Sequence, residues 1–190
     1  MSEQIKRLKR ELIHSGVILD IYKDTMELPN GKTEEWDFVS HRKGAAAVVA
    51  VREDGKVLMV RQYRPALERE TLEIPAGARD SVTEDTMICA ARELEEETGY
   101  RCDSIRFLIS LKTTVAFCDE FIDIYLATNL VKTEQHLDDG EAINVEAWDI
   151  DDLCDLIYKG RIQDAKTVSA LLAYKNILNM NTGDYCPGRA

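Results

Sequence analysis

The 190-residue chain is 45% hydrophobic and carries 24 Lys and Arg against 35 Asp and Glu, a formal net charge of −11. That is enough apolar material for one well-cored domain of roughly 150 residues with an appendage, and the acidic balance excludes a nucleic-acid groove, which is built from excess Lys and Arg. The five cysteines (Cys89, Cys102, Cys118, Cys154 and Cys186) lack CxxC spacing and read as free thiols of a reducing, cytoplasmic compartment, and no apolar run is long enough for a signal-peptide core or a bilayer span.

In chain order, MSEQIKRLKRELIHSG alternates charged and apolar residues at helical spacing and predicts a short helix through about Ile13. Two strand-like runs follow, GVILDIYKDTMEL and KTEEWDFVSH, joined by a Pro29-Asn30-Gly31 turn. Residues 1–42 are thus expected to form a helix-plus-hairpin extension for packing or dimerisation, and residues 43–190 the main domain. From Gly44 the pattern changes: AAAVVAV and KVLMVRQY are β-branched runs separated by Glu53-Asp54-Gly55, a hairpin signal. IRFLISL and EFIDIYLATNL predict further strands. Between the two strand groups, EDTMICAARELEEETG has Met87, Ala90, Ala91 and Leu94 at the i, i+3, i+4, i+7 spacing of a helix packed on a sheet, with Gly99 placed for a left-handed C-cap. IDDLCDLIYKG and DAKTVSALLAYKNILNM predict two more helices. Strands with helices on both faces make an α/β sandwich.

The central helix concentrates carboxylates. On 3.6-residue geometry Glu93, Glu96 and Glu97 share a face while Glu95 points elsewhere. Like charges at this spacing repel by roughly 0.2–0.5 kcal/mol per pair, and a hard divalent cation such as Mg²⁺ turns that repulsion into coordination. For an isolated acidic run the alternative is a solvated face.

The context of the run narrows the choice. Glu73-Ile74-Pro75-Ala76-Gly77, Glu84, Arg92-Glu93-Leu94, Glu96-Glu97 and Gly99-Tyr100 resemble the Nudix box, G-x5-E-x7-R-E-U-x-E-E-x-G-U. One spacing departs: six residues rather than five separate Gly77 from Glu84, which places the extra residue in the ARDSVT loop and keeps the helix in register. The resemblance implies a Nudix-type α/β/α sandwich with a mixed sheet. It also implies that Glu93, Glu96, Glu97 and the Ala76 carbonyl hold Mg²⁺, with Mn²⁺ as a substitute, and that Arg92 pairs with Glu84 to fix the loop. The metal would bridge diphosphate oxygens and acidify a bound water.

The flanks resemble the ADP-ribose pyrophosphatase subfamily. VRQYRPALERETLEIPAG matches its RQ[YF]RP and E[IFL]PAG segments, which implies that Arg64 reaches a substrate phosphate and that Glu73 acts near the sugar or the metal. A salt bridge ordering the loop is the alternative for Arg64. Gly31 to Trp36 resembles the hairpin whose aromatic residue stacks on adenine across a dimer, which implies that role for Trp36; packing in a core or interface is the other use of a lone Trp. LDDGEAINVEAW resembles the acidic loop that carries the water-activating carboxylate, here Glu141, with Asp138 and Asp139 beside it. Asn144 stands where relatives often have Glu, and TTVAFCDE replaces the more usual SPGFSDE. The reaction implied is Mg²⁺-dependent hydrolysis of ADP-ribose to AMP and ribose 5-phosphate by a homodimer. Alternatives are another nucleoside diphosphate sugar such as GDP-mannose or ADP-glucose, a non-catalytic ADP-ribose sensor, and an RNA-cap or nucleotide-pool enzyme.

Overall fold

The computed structural model describes residues 4–137, 140 and 142–180. Cys186, Asp138, Asp139 and Glu141 therefore lie outside the described residues. The other four cysteines are free thiols, and among the described residues no helix is long and apolar enough to cross a membrane.

The N-terminal segment differs from the helix its spacing predicts. Residues Lys6–Ser15 form a strand, β1, antiparallel to β2 (Leu19–Glu27), which pairs in turn with β3 (Thr33–His41) in a three-stranded sheet. The hairpin expected from the Pro29-Asn30-Gly31 turn is present, and its outer edge recruits the preceding segment. Local helical preference amounts to tenths of a kcal/mol per residue and gives way to pairing contacts. Those contacts are specific: the Arg10 guanidinium makes two hydrogen bonds to the buried Asp24 carboxylate, at 2.7 and 2.6 Å, and lies 3.8 Å from the Phe38 ring centroid. Register shifts at Arg7/Lys9 and Leu12/His14 twist the strand.

The main sheet has the order β10-β5-β4-β9-β8, with β6 on β5 and β7 on β4. Its strands are β4 (Ala45–Val51), β5 (Val57–Arg64), β6 (Arg69–Glu73), β7 (Ala76–Ala78), β8 (Tyr100–Lys112), β9 (Phe121–Lys132) and β10 (Asn144–Trp148). β4 and β9 run parallel and the other pairs antiparallel, so the sheet is mixed as expected. The apolar run of β4 is explained by burial on both faces. Ala46, Val48 and Ala50 join a core with Cys89, Ala90 and Leu94 of α1 (Thr86–Thr98). Ala47, Val49 and Val51 join the opposite core, with Leu153 of α2 (Ile150–Tyr158) and Ala170, Leu171 and Tyr174 of α3 (Ala165–Asn179). This is the α/β/α sandwich.

The phase of α1 is rotated slightly from the apolar stripe. Ala90 and Leu94 are buried, but Met87 is 40% exposed and Cys89, Glu97 and Thr98 are buried instead. The rotation brings Glu97 inward. Asp85 caps the helix start, accepting from the Met87 N–H, and Gly99 (φ 66°) ends it in the left-handed conformation its position implies.

Candidate active site

The β7 backbone lies between the acidic helix and a cavity. On the helix side, the Ala76 N–H donates to the Glu97 carboxylate at 2.9 Å, with Glu97 only 4% exposed. Gly77 faces Glu93 so closely that a Cβ there would fall 2.2 Å from the Glu93 carboxyl carbon. The glycine is needed for close approach, since its φ is not in the left-handed region.

Arg92 gathers the remaining carboxylates. Its Nη1 donates to Glu93 at 2.7 Å and to Glu96 at 2.8 Å, its Nε reaches Glu84 at 3.4 Å, and its Nη2 donates to the Ala78 carbonyl at 3.1 Å. Burial alone would lower the Arg92 pKa, but the charge of Glu93 and the hydrogen bonds to Glu96, Glu84 and Glu93 raise it well above the ordinary value. Glu84 also accepts the Asp80 N–H at 2.6 Å, and Arg79 donates to the carbonyls of Glu84 and Lys43 and also to that of Val82. The loop that carries the extra residue is thus tied down at both ends, and the Arg92–Glu84 pairing implied by the box is made.

The helix donor set suits a hard cation. Glu93, Glu96 and Glu97 offer only oxygen, as do the backbone carbonyls of residues 76–78. The adjacent thiol, Cys89, is fully buried beneath the Gly77 carbonyl, and burial and the charge of Glu93 push its pKa up to about 12. Among the described residues no three acidic, His or Cys groups converge on one point; Glu93 and Glu96 are turned to Arg92, and Glu97 to the Ala76 N–H. Arg92 supplies the positive charge of the cluster in this arrangement.

The cavity, about 640 Å³, is lined by Ala76, Gly77 and Ala78 together with Arg64, Glu73, Thr71, Lys166, His41, Thr113 and Glu120 among others. Arg64 and Glu73 meet in a two-pronged ion pair, Nε to Oε1 at 2.8 Å and Nη2 to Oε2 at 2.6 Å. Glu73 also accepts from Thr71 Oγ1 at 2.7 Å and Lys166 Nζ at 2.5 Å. Burial would push the Glu73 carboxyl up, but the hydrogen bonds from Arg64, Lys166 and Thr71 and the Lys166 charge outweigh it and hold the pKa at about 2.

A folded pKa below the unfolded value of about 4.5 means that this network stabilises the protein above that pH and ceases to do so as pH falls toward 2. The difference in urea midpoint between wild type and Glu73→Gln is therefore expected to narrow as pH is lowered through that window; a constant difference would contradict the assignment.

The predicted substrate residues fall in two places. Arg64 and Glu73 line the cavity, whereas Trp36 lies on β3, 40% exposed, opposite Asp24 and outside the cavity lining. Glu146, a second carboxylate near the predicted catalytic loop, is committed elsewhere: Arg61 donates to it at 2.5 and 3.2 Å and Trp148 Nε1 at 2.8 Å. The segment that departs from the subfamily pattern contributes Thr113, Thr114 and Glu120 to the cavity wall. It is pinned to β3, because Asp119 accepts from Ser40 Oγ and the His41 N–H and Phe117 accepts the Val39 N–H. Lys166 and Thr71 were not singled out in the sequence. A lysine in the first turn of a helix, where the helix dipole disfavours a cation, was the available signal.

The NUDIX domain family model matches residues 41–171. The methanol dehydrogenase activator of Bacillus methanolicus is 42% identical over 168 residues, spanning 87% of this chain and 90% of that protein. The ADP-ribose pyrophosphatase of Bacillus subtilis (strain 168) is 38% identical over the same spans. A crystal structure of an ADP compounds hydrolase matches with a TM-score of 0.82 at 23% identity, over 94% of this chain and 97% of the other, which is a likeness of fold.

Proposed function

The chain belongs to the Nudix hydrolase family, and from that membership we propose that it hydrolyses ADP-ribose to AMP and ribose 5-phosphate with Mg²⁺ as its cation. The observation that best supports this reading is the setting of residues 76–78, with Glu93 and Glu97 against their backbone and a cavity containing Arg64 along the same stretch. The relative described as an ADP-ribose pyrophosphatase supports the choice of substrate.

Glu93, Glu96 and Glu97, with the Ala76 carbonyl, would hold the cation, with Mn²⁺ able to substitute. When bound, such a cation neutralises diphosphate charge and acidifies a water. Arg64 would meet a phosphate oxygen with a guanidinium fork suited to it. Glu141 would take the proton from the attacking water, since Glu146 is already bound by Arg61 and Trp148. Glu141→Gln should therefore lower kcat with little change in KM; an unchanged kcat would move the role elsewhere.

In this reading residues 1–42 are an extension and residues 43–190 the catalytic domain of a cytoplasmic homodimer. The exposed apolar side chains of the three-stranded sheet, including Leu12, Ile13 and Trp36, with Ile18 in its first turn, support burial against a second copy. Trp36, absent from the cavity of its own chain, would stack on adenine in that of the partner. Trp36→Ala should raise KM by about tenfold, in line with stacking worth roughly 1–3 kcal/mol per base, and lower kcat little. An unchanged KM would leave Trp36 as a packing residue.

The experiment for the substrate is a comparison of kcat/KM for ADP-ribose, ADP-glucose, GDP-mannose, NADH, diadenosine polyphosphates and nucleoside triphosphates with Mg²⁺. Preference for ADP-ribose supports the proposal. Preference for another compound would keep the Nudix chemistry and replace the substrate, and hydrolysis of none would favour a sensor.

A further inference from the structure

The Glu73 network holds more cation than its ion pair requires. Glu73 is 2% exposed and accepts hydrogen bonds from two cations, Arg64 and Lys166, as well as from Thr71. The two cations are held differently. The Lys166 side chain is 10% exposed and also donates to Asp164 at 2.9 Å, whereas the Arg64 side chain is 39% exposed. Asp164 caps α3, accepting from the Thr167 N–H at 3.0 Å and Thr167 Oγ1 at 2.6 Å, and Thr167 Oγ1 in turn accepts the Ile74 N–H at 3.1 Å. The start of α3 is therefore fastened to the residue next to Glu73.

We infer that Lys166 is a positioning residue: it keeps the buried Glu73 carboxylate compensated so that Arg64 can leave Glu73 for the diphosphate of a bound substrate. This rests on the reading of Arg64 as a phosphate ligand. A buried carboxylate with a single cationic partner holds that partner strongly, because separation leaves an uncompensated charge in a low-dielectric setting. With Lys166 and Thr71 in place, Glu73 keeps two hydrogen bonds, one on each carboxylate oxygen, when Arg64 turns away. Two positive and two negative charges, Arg64 and Lys166 against Glu73 and Asp164, make the network neutral before the anion arrives. When Arg64 moves to the substrate, Lys166 stays between Glu73 and Asp164, and the α3 N-terminus that Asp164 caps offsets part of the negative charge left behind. Without Lys166, Arg64 would be retained on Glu73 and lost to the substrate.

A merely structural clamp makes a different prediction, and two measurements separate the alternatives. The first is calorimetric binding of ADP-ribose in EDTA, where no turnover occurs. Lys166→Met is expected to weaken binding by about tenfold or more, the scale of one trapped ion pair. The double variant Glu73→Gln/Lys166→Met should recover most of that loss, because Arg64 is no longer retained. Equal weakness of the single and double variants, or a Lys166→Met affinity equal to wild type, would overturn the inference. Arg64→Ala separates its failure from that of the underlying reading: undiminished binding by Arg64→Ala removes Arg64 as a phosphate ligand altogether.

The second measurement needs no ligand. In urea unfolding, Arg64→Ala should lower the midpoint more in the Lys166→Met background than in wild type, since there it strips Glu73 of its last cation. Additive shifts would overturn the shared-compensation role whatever the substrate.

Discussion

Glu97→Gln is expected to lower kcat by about a thousandfold at saturating Mg²⁺, the order associated with loss of a major electrostatic contributor to catalysis, while the unfolding midpoint stays close to that of wild type. The separation of the two effects follows from its surroundings. Glu97 is buried on α1 and accepts the Ala76 N–H. A glutamine oxygen can accept the same bond, so the join between helix and β7 survives. What is lost is the negative charge and one oxygen donor in a face shared with Glu93 and Glu96. Steady-state kinetics with a Mg²⁺ titration, alongside urea unfolding, checks both halves. Near-normal turnover would remove Glu97 from the metal site; a large fall in the midpoint would make it a structural residue.

Gly77→Ala is the second large effect, about a hundredfold in kcat, again comparable to loss of a directly engaged group. The added Cβ would lie 2.2–2.4 Å from the Glu93 carboxyl group, well inside van der Waals contact. The clashing atoms are the end of a flexible side chain rather than backbone, so the fold adjusts by rotating Glu93 and the unfolding midpoint changes little. The carboxylate is then displaced from Ala76–Ala78 and from Arg92, which now donates to it at 2.7 Å. The shorter side chain in Gly77→Ala/Glu93→Asp should recover part of the activity by relieving the clash. Wild-type kcat in Gly77→Ala would show that the position of Glu93 does not matter to the reaction.

Both predictions concern groups that local spacing exposes. Glu93, Glu96 and Glu97 share a face through helix geometry alone, and Gly99 ends the helix through its φ, so the box was legible once α1 was recognised. The apolar, β-branched runs of β4 and β5 were legible as strands from composition and from the turn between them. Other features depend on contacts across the chain. Residues 6–15 have helical spacing but become β1 because Arg10 finds Asp24 and Phe38. Met87 fits the apolar stripe, yet the sheet selects Cys89 and Glu97, a choice set by how α1 lies on β4. Lys166 meets Glu73 across 93 residues, and no local pattern encodes such a pairing. Arg64 was legible as a cavity cation through its motif, but its two-pronged bond to Glu73 was visible only as an alternative.

The most direct test of the proposed reaction is chromatographic analysis of ADP-ribose incubated with the enzyme and Mg²⁺, with a parallel sample in excess EDTA. AMP and ribose 5-phosphate appearing in equal amounts with Mg²⁺, and neither appearing in EDTA, is the result predicted. Intact ADP-ribose in both samples, or cleavage unaffected by EDTA, would contradict it.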